Sequence, residues 1–201
     1  MTLNRSKKIL LIGLADRATV GLAIELKRLG HSVTGTFDEV TGHEKDKLLK
    51  DSTINELSAS DKIDEGTEAV VIGPGIPKDH LKVRQAQAAG LPLYSVPDFI
   101  YELSSDKQRL VVTGNHGKTL ITALIIHVLQ FSNRKFDFFT ANKPNGFDGV
   151  VKLSDAPIIV IEGQDVSASN LDPSPSFLKY HHHIGVINGI EWQASTQYPT
   201  R

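Results

Sequence analysis

Apolar runs that end in glycine or in a polar residue alternate along this chain with segments of helical spacing. The first run, 7–13, reads Lys-Lys-Ile-Leu-Leu-Ile-Gly and is typical of a buried parallel strand. Residues 19–29 then place apolar side chains at helical spacing, and Gly30 follows as a helix stop. A second strand is predicted at 31–36, so the chain opens with a strand–helix–strand unit.

The same alternation continues to the end of the chain. Because strands that alternate with helices form parallel sheets, the predicted fold class is α/β. Polar residues at 104–107 separate two such units, which predicts one domain over 1–106 and a second over 107–201. The charged stretch 38–68 is interpreted as a solvated helix and loops. Further strands are predicted at 68–73, 92–95, 109–113, 158–162 and 184–187, and further helices at 79–89, 97–103 and 118–131.

Composition excludes several classes of protein. The 201 residues carry 22 Lys and Arg against 23 Asp and Glu, so no basic excess favours nucleic acid or an anionic membrane as a partner. The chain has no cysteine, which excludes disulfides, thiolate metal sites and cysteine nucleophiles. No apolar run approaches the 18 or so residues of a membrane span, and the start of the chain lacks a signal-peptide pattern. We therefore expect a cytoplasmic protein without a nucleic-acid or membrane partner.

Residues 113–119 read Thr-Gly-Asn-His-Gly-Lys-Thr and lie between a predicted strand and a predicted helix. A phosphate-binding loop requires that context, because its glycines let backbone amides face phosphate oxygens and the helix N-terminus adds partial positive charge. The alternative is a simple glycine turn. We predict ATP binding by Gly114, Asn115, His116, Gly117, Lys118 and Thr119, with Lys118 reaching the β- and γ-phosphates as the catalytic residue and Thr119 binding Mg2+.

Two loops of the first domain also follow predicted strands. Residues 13–21 resemble a dinucleotide fingerprint stretched by two residues, and three interpretations stay open: an NAD site, a turn without ligand, and a diphosphate on the helix N-terminus, which we favour. Residues 73–77 lie where ligands gather in open α/β sheets, and they form either a rigid turn or a ligand-facing loop.

Two further polar features have the residue types of metal ligands. Glu162 ends the apolar strand 158–162, and with a phosphate loop upstream it is predicted to hold Mg2+ rather than to be a solvated acid. The three histidines at 181–183 are not expected to form a metal cluster, because neighbours on a strand point to opposite faces.

These segments together resemble the Mur ligases, the ATP-dependent amide-forming enzymes of peptidoglycan synthesis. Within that family they are most similar to the UDP-N-acetylmuramate branch, whose members attach L-alanine or a murein tripeptide. The resemblance spans nearly the whole chain, and the histidine before Gly117 is rather specific for this branch. The segments that carry it are 12–21, 30–35, 73–77, 94–97, 113–119, 161–163 and 183–187.

The resemblance implies a Rossmann-like, parallel-sheet domain that binds UDP, followed by a P-loop α/β domain that binds ATP and Mg2+. It also implies that a substrate carboxylate becomes an acyl phosphate, from which an incoming amine displaces phosphate. The implied partners are a UDP-N-acetylmuramate-type nucleotide sugar and an amino acid or murein peptide acceptor. The implied UDP-sugar-binding residues are Gly13, Leu14, Ala15, Asp16, Arg17, Gly73, Pro74, Gly75 and Ile76.

The chain departs from the family pattern at two places. The Asp-Glu pair that follows Glu-Gly appears here as Gln164 and Asp165, and an Asp-His pair that helps bind a second Mg2+ appears as Gln193 and Ala194. The family also continues past Arg201, so we expect a truncated ATP domain and an incomplete, inactive portion of a ligase. Two other hypotheses stay open, namely a non-catalytic nucleotide-sugar-binding module and a small P-loop phosphotransferase.

Overall fold

The computed structural model describes residues 6–37, 54–58 and 60–191. Its first sheet has five strands, all parallel, in the order β3-β2-β1-β4-β5. The strands are β1 (Lys8–Ile12), β2 (Ser32–Gly35), β3 (Asn55–Glu56), β4 (Ala69–Ile72) and β5 (Leu93–Ser95), and the helices of this part are α1 (Arg17–Arg28), α2 (Leu81–Ala88) and α3 (Val96–Leu103).

Helix α1 begins where Asp16 caps it. The Asp16 carboxylate accepts a hydrogen bond from the Thr19 amide at 2.7 Å, and the Thr19 hydroxyl accepts one from the Asp16 amide at 3.3 Å. This reciprocal pair is a capping box, which satisfies amides that the first helical turn leaves unpaired. The helix buries Leu22 and Leu26 and ends before Gly30, whose φ of +87° suits glycine.

The second sheet also has five strands, in the order β12-β6-β9-β7-β8. Its pairings are parallel except the antiparallel pair at the β7-β8 edge, and β10 with β11 forms a separate antiparallel hairpin. The elements are β6 (Gln108–Thr113), α4 (Lys118–Phe131), β7 (Asp137–Phe139), β8 (Val151–Lys152), β9 (Ile158–Glu162), β10 (Ser167–Ser169), β11 (Asp172–Pro175), α5 (Ser176–Lys179) and β12 (Ile184–Ile187).

Every strand and helix that the sequence predicts by residue range is present, with ends that differ by up to two residues, and the α/β fold class is confirmed. The short elements β3, β7, β8, β10, β11 and α5 were not predicted. The interpretation of 38–68 as a solvated helix and loops is wrong at 54–58, where β3 pairs with β2 and Ile54 and Leu57 are buried, while 38–53 and 59 lie outside the described residues.

The apolar core continues from one sheet to the other. One cluster of buried side chains contains Leu22 and Leu26 of α1 together with Val150 and Leu153 near β8. Helix and strand approach closely at Gly21, because a Cβ there would lie 2.5 Å from a Val150 methyl group.

Two polar side chains of α1 clamp this contact. One Glu25 carboxylate oxygen accepts a hydrogen bond from the Leu153 amide at 2.6 Å, and Arg28 donates to the Leu153 carbonyl at 2.8 Å. Glu25 and Arg28 also pair with each other through two bonds of 2.7 and 2.8 Å, and that pairing is the main reason why the pKa of Arg28 is raised. The clamp therefore fixes α1 against the second sheet.

The polar segment 104–107 between the sheets is partly buried. Ser104 is fully buried, and the Lys107 ammonium lies 3.1 Å from Asp137 while donating to the carbonyls of Ser154 and Ala156. The segment thus connects the two sheets as a packed junction, and the division at 106/107 stays a prediction.

Candidate functional site

The loop 113–119 joins β6 to α4 at the carboxyl end of the second sheet. Gly114 and Gly117 have φ values of +123° and +72°, which L-residues with side chains rarely adopt. No side chain caps the first turn of α4, because Gly117 is its N-cap residue. The Lys118 ammonium folds back and donates to the Gly114 carbonyl at 2.6 Å. The loop therefore places the N-terminus of α4 and the Lys118 ammonium next to each other.

Glu162 reaches this loop from the end of β9, the strand beside β6. One of its carboxylate oxygens accepts a hydrogen bond from the Thr119 hydroxyl at 2.6 Å, and the other accepts one from the Ala141 amide at 3.1 Å. Glu162 is only 4% exposed. The structure thus brings together Thr119 and Glu162, the two predicted Mg2+ ligands. A hydroxyl beside a single carboxylate fits Mg2+, which commonly keeps several waters and takes its other ligands from phosphates.

The segment that follows β12 lies against the same loop. Asn188 donates through its side-chain amide to the His116 carbonyl at 2.8 Å, and the Asn115 amide donates to the Gly189 carbonyl at 3.1 Å. Glu191 completes the contact, since its amide donates to the Asn115 side chain at 2.7 Å and its carboxylate lies 3.2 Å from the His116 ring. Asn115 and His116 therefore hold the loop in place through segment 188–191.

This contribution of Asn188 was not predicted from the sequence. Its position directly after a parallel strand was a usable signal, since ligand sites in open α/β sheets form at those strand ends. Gln193 and Ala194, where the sequence departs from the family's metal-ligand pair, lie outside the described residues.

The two predicted loops of the first sheet lie side by side. Gly73 follows β4, and a Cβ on it would lie 2.5 Å from the Gly13 carbonyl oxygen, just after β1. A Cβ on Gly13 would lie 2.4 Å from Ile76. Glycine is therefore required at Gly73 by the backbone contact, and at Gly13 chiefly by its φ of +81°.

The residues predicted to bind a UDP-sugar divide into two groups. Leu14 and Ile76 point into the apolar core, at 0% and 5% exposure, and the Asp16 side chain caps α1. Among the predicted binding residues, the exposed ones are Ala15, Arg17, Pro74 and Gly75. Any ligand on these loops would meet mainly those exposed groups and the backbone.

Two contacts connect the loops of the first sheet with the loop after β7 and with the turn of the β10-β11 hairpin. The Arg17 guanidinium lies 3.5 Å from the Asn142 side-chain oxygen, and Asn142 borders a small cavity beside Thr119 and Glu162. The Asn170 side-chain amide donates to the Ile76 carbonyl at 3.1 Å. Arg17 of the candidate nucleotide-sugar loops therefore lies close to the cavity beside the phosphate loop.

The three consecutive histidines do not converge. The His183 ring accepts a hydrogen bond from the Arg109 amide at 3.1 Å, and the His181 ring stacks near Tyr101 with 4.6 Å between ring centroids. Within residues 6–37, 54–58 and 60–191, no group of three His, Asp or Glu side chains is placed to hold a metal ion. In the same described ranges, no helix has the length and apolar character needed to cross a membrane.

Comparison with curated proteins confirms the resemblance to the Mur ligases. The UDP-N-acetylmuramate–L-alanine ligase of Syntrophomonas wolfei is 24% identical over 193 residues, which are 95% of this chain and 40% of the relative. The UDP-N-acetylmuramate–L-alanyl-γ-D-glutamyl-meso-2,6-diaminoheptandioate ligase of Escherichia coli K12 is 24% identical over 188 residues, or 92% of this chain and 41% of the relative. No family model matches the chain.

A solved structure gives the same result. The UDP-N-acetylmuramate:L-alanyl-γ-D-glutamyl-meso-diaminopimelate ligase from Neisseria meningitides superposes with a TM-score of 0.82 and 25% identity, covering 94% of this chain and 62% of that one. The chain spans about 40% of the length of the curated relatives it matches.

Proposed function

We propose that this relative of the Mur ligases carries the nucleotide-sugar and ATP sites of an ATP-dependent ligase that acts on UDP-N-acetylmuramate. In this proposal residues 1–106 bind the UDP-sugar, residues 107–201 bind ATP with Mg2+, and an amino acid or murein peptide is the acceptor in the complete enzyme. The observation that carries the proposal is the contact between Thr119 of the phosphate loop and the buried Glu162.

The phosphate loop would bind the triphosphate through charge and fixed amides. Lys118 would exchange the Gly114 carbonyl for a phosphate oxygen, which replaces a neutral partner by a charged one and strengthens the bond. Segment 188–191 holds the loop in place, so little reorganisation is needed when the nucleotide enters. Thr119 and Glu162 would hold Mg2+, which when bound neutralises charge on the transferred phosphoryl group.

The first-sheet loops would place the substrate carboxylate near that phosphoryl group. The substrate oxygen forms a bond to the γ-phosphorus as the bond to the β-phosphate oxygen breaks, which gives an acyl phosphate and ADP. An acceptor amine then adds to the acyl carbon and phosphate leaves. Arg17 would pair with an anionic part of the nucleotide sugar, and its contact with Asn142 supports a common cleft for both substrates.

Calorimetry with UDP-N-acetylmuramate and with Mg-ATP, titrated separately, tests the proposal. Binding of both supports it, binding of the nucleotide sugar alone favours a non-catalytic module, and binding of Mg-ATP alone favours a phosphotransferase.

The variant Lys118→Ala assigns the ATP site. A bond to a charged group contributes about 1.5–3 kcal/mol, so Mg-ATP affinity should fall about tenfold to a hundredfold while nucleotide-sugar affinity stays unchanged. The exposed Lys135 gives a matched control, because Lys135→Ala removes the same charge away from the loop. Equal weakening of both ligands by Lys118→Ala would contradict the division into two sites.

A further inference from the structure

We propose that the Thr122 hydroxyl binds a water molecule of the hydration shell of the Mg2+ that Thr119 and Glu162 hold, an inference that rests on the proposed ATP site. Thr122 lies three residues after Thr119 on α4, so both side chains lie on one face of the helix. Its side chain is therefore on the side of the helix from which the Thr119 hydroxyl reaches Glu162.

The state of the Thr122 hydroxyl is unusual for a buried polar group. Thr122 is 1% exposed, and its oxygen has no hydrogen-bond partner among the described residues. A threonine inside a helix can bond the carbonyl four residues earlier, yet this hydroxyl makes no such bond. Since buried polar groups are nearly always paired with protein or with water, a partner outside the polypeptide is expected here.

A small cavity provides the place for that partner. Its volume is about 40 Å3, and it lies between the start of α4, the end of β9 and the segment after β7. A buried water needs roughly 10–15 Å3 of such volume, so the cavity has room for about two or three waters. The lining residues are Thr119, Thr122, Ala123, Ile126, Thr140, Asn142, Lys143, Pro144 and Glu162.

The other hydroxyls around the cavity already have partners. Thr140 is within hydrogen-bond distance of the Asn142 carbonyl, at 2.9 Å, and Thr119 donates to Glu162. Thr122 is thus the lining hydroxyl that can donate to, or accept from, a water in the cavity. Because Mg2+ gives up its waters reluctantly, residues that orient those waters contribute to metal affinity. Thr122 is therefore a positioning residue for the metal and does not touch it.

The test compares Thr122→Val with Thr122→Ser. Valine has nearly the shape of threonine but no hydroxyl, whereas serine keeps the hydroxyl. Mn2+ binding, in the presence and absence of ATP, is followed by water-proton relaxation, and ATP binding without metal is measured by calorimetry. Urea unfolding of the metal-free protein is measured in parallel.

We expect Thr122→Val to weaken Mn2+ binding about tenfold, within the range found when outer-shell partners of metals are removed. Metal-free ATP affinity should stay unchanged, and metal-free stability should be equal or higher because an unpaired hydroxyl has been removed. Thr122→Ser should bind Mn2+ like the wild type.

A merely structural role predicts the opposite pattern, in which Thr122→Val unfolds more easily and binds Mn2+ normally, and that result overturns the inference alone. If the wild-type chain binds neither Mn2+ nor ATP, the proposed function fails and the inference fails with it.

Discussion

The substitution Gly114→Ala tests whether the phosphate loop depends on its contact with the strand end after β12. A Cβ at Gly114 would lie 2.1 Å from the carbonyl oxygen of Asn188 and under 3 Å from two further backbone atoms of that residue. Asn188 cannot easily withdraw, because its own amide donates to the Thr113 carbonyl at 2.8 Å. The added methyl group therefore displaces either the loop or the strand end.

The size of the effect follows from two contributions. A side chain at positive φ costs roughly 1–2 kcal/mol, and overpacking against a fixed neighbour adds about 1–3 kcal/mol. We expect Gly114→Ala to lower the free energy of unfolding by about 3 kcal/mol and to weaken Mg-ATP binding at least tenfold. Gly90 supplies the control, because its φ is +66° but a Cβ there meets nothing within 4 Å. Gly90→Ala should cost only about 1 kcal/mol and leave Mg-ATP affinity unchanged.

Urea unfolding measures the stabilities, and calorimetry with Mg-ATP and with UDP-N-acetylmuramate measures the affinities. Nucleotide-sugar affinity should stay within twofold of wild type in both variants. If Gly114→Ala behaves like Gly90→Ala in stability and in Mg-ATP binding, the close contact with Asn188 has no role in shaping the loop and the reasoning is wrong.

Three further predictions concern other parts of the molecule. Arg17→Ala should weaken UDP-N-acetylmuramate binding about tenfold in calorimetry, as expected for one lost charge-assisted bond, whereas Arg84→Ala, which removes an exposed arginine from α2, should not. Asp137→Ala should lower the free energy of unfolding in urea by about 3–5 kcal/mol, because it leaves the buried Lys107 ammonium without its counterion. Adding Lys107→Met should recover part of that loss. If the losses of the two single variants simply add in the double variant, the pairing is contradicted. The pKa of His31 is lowered, chiefly by burial and then by the charge of Lys7. The unfolded chain therefore takes up the proton first, and the free energy of unfolding should fall as pH drops below about 6.5. In urea unfolding, the slope of this free energy against pH should be smaller in His31→Asn, and an unchanged slope would refute the reasoning.

The long apolar strands and the loops after them could be predicted from the sequence. Runs such as 9–12 and 158–161 have the composition of strands buried on both faces, and the fixed direction of parallel strands places Thr119 and Glu162 at one sheet edge. Thr119 and Glu162 form a hydrogen bond, and their role as Mg2+ ligands stays a prediction.

The short elements could not be predicted because their patterns are too weak. Strand β3 is two exposed polar residues, and β8 is two residues long, so neither contains a period that a sequence can reveal. Strand β7 is three buried residues, and its place between β9 and β8 comes from tertiary packing rather than from local preference.

Parts of the site depend on contacts that residue type does not encode. The Ala141 amide binds Glu162 through the backbone, which any residue but proline could do at that position. Leu14 and Ile76 stand in the predicted ligand loops, yet their apolar side chains turn inward and fill the core beneath those loops. Sequence spacing identifies such loops but does not reveal which of their side chains face a ligand.

Helix α1 has an anchor to the region of the second sheet near each end. Arg17 reaches Asn142 at the first turn, while Glu25 and Arg28 hold Leu153 at the last. Twelve residues of helix span about 18 Å, so these two anchors lie nearly a helix length apart. The same helix packs on the first sheet, since Leu22 and Leu26 share one buried cluster with Ile9 and Val33. A motion that opens the cleft must therefore break one of these two contact surfaces, and α1 couples the two sheets mechanically.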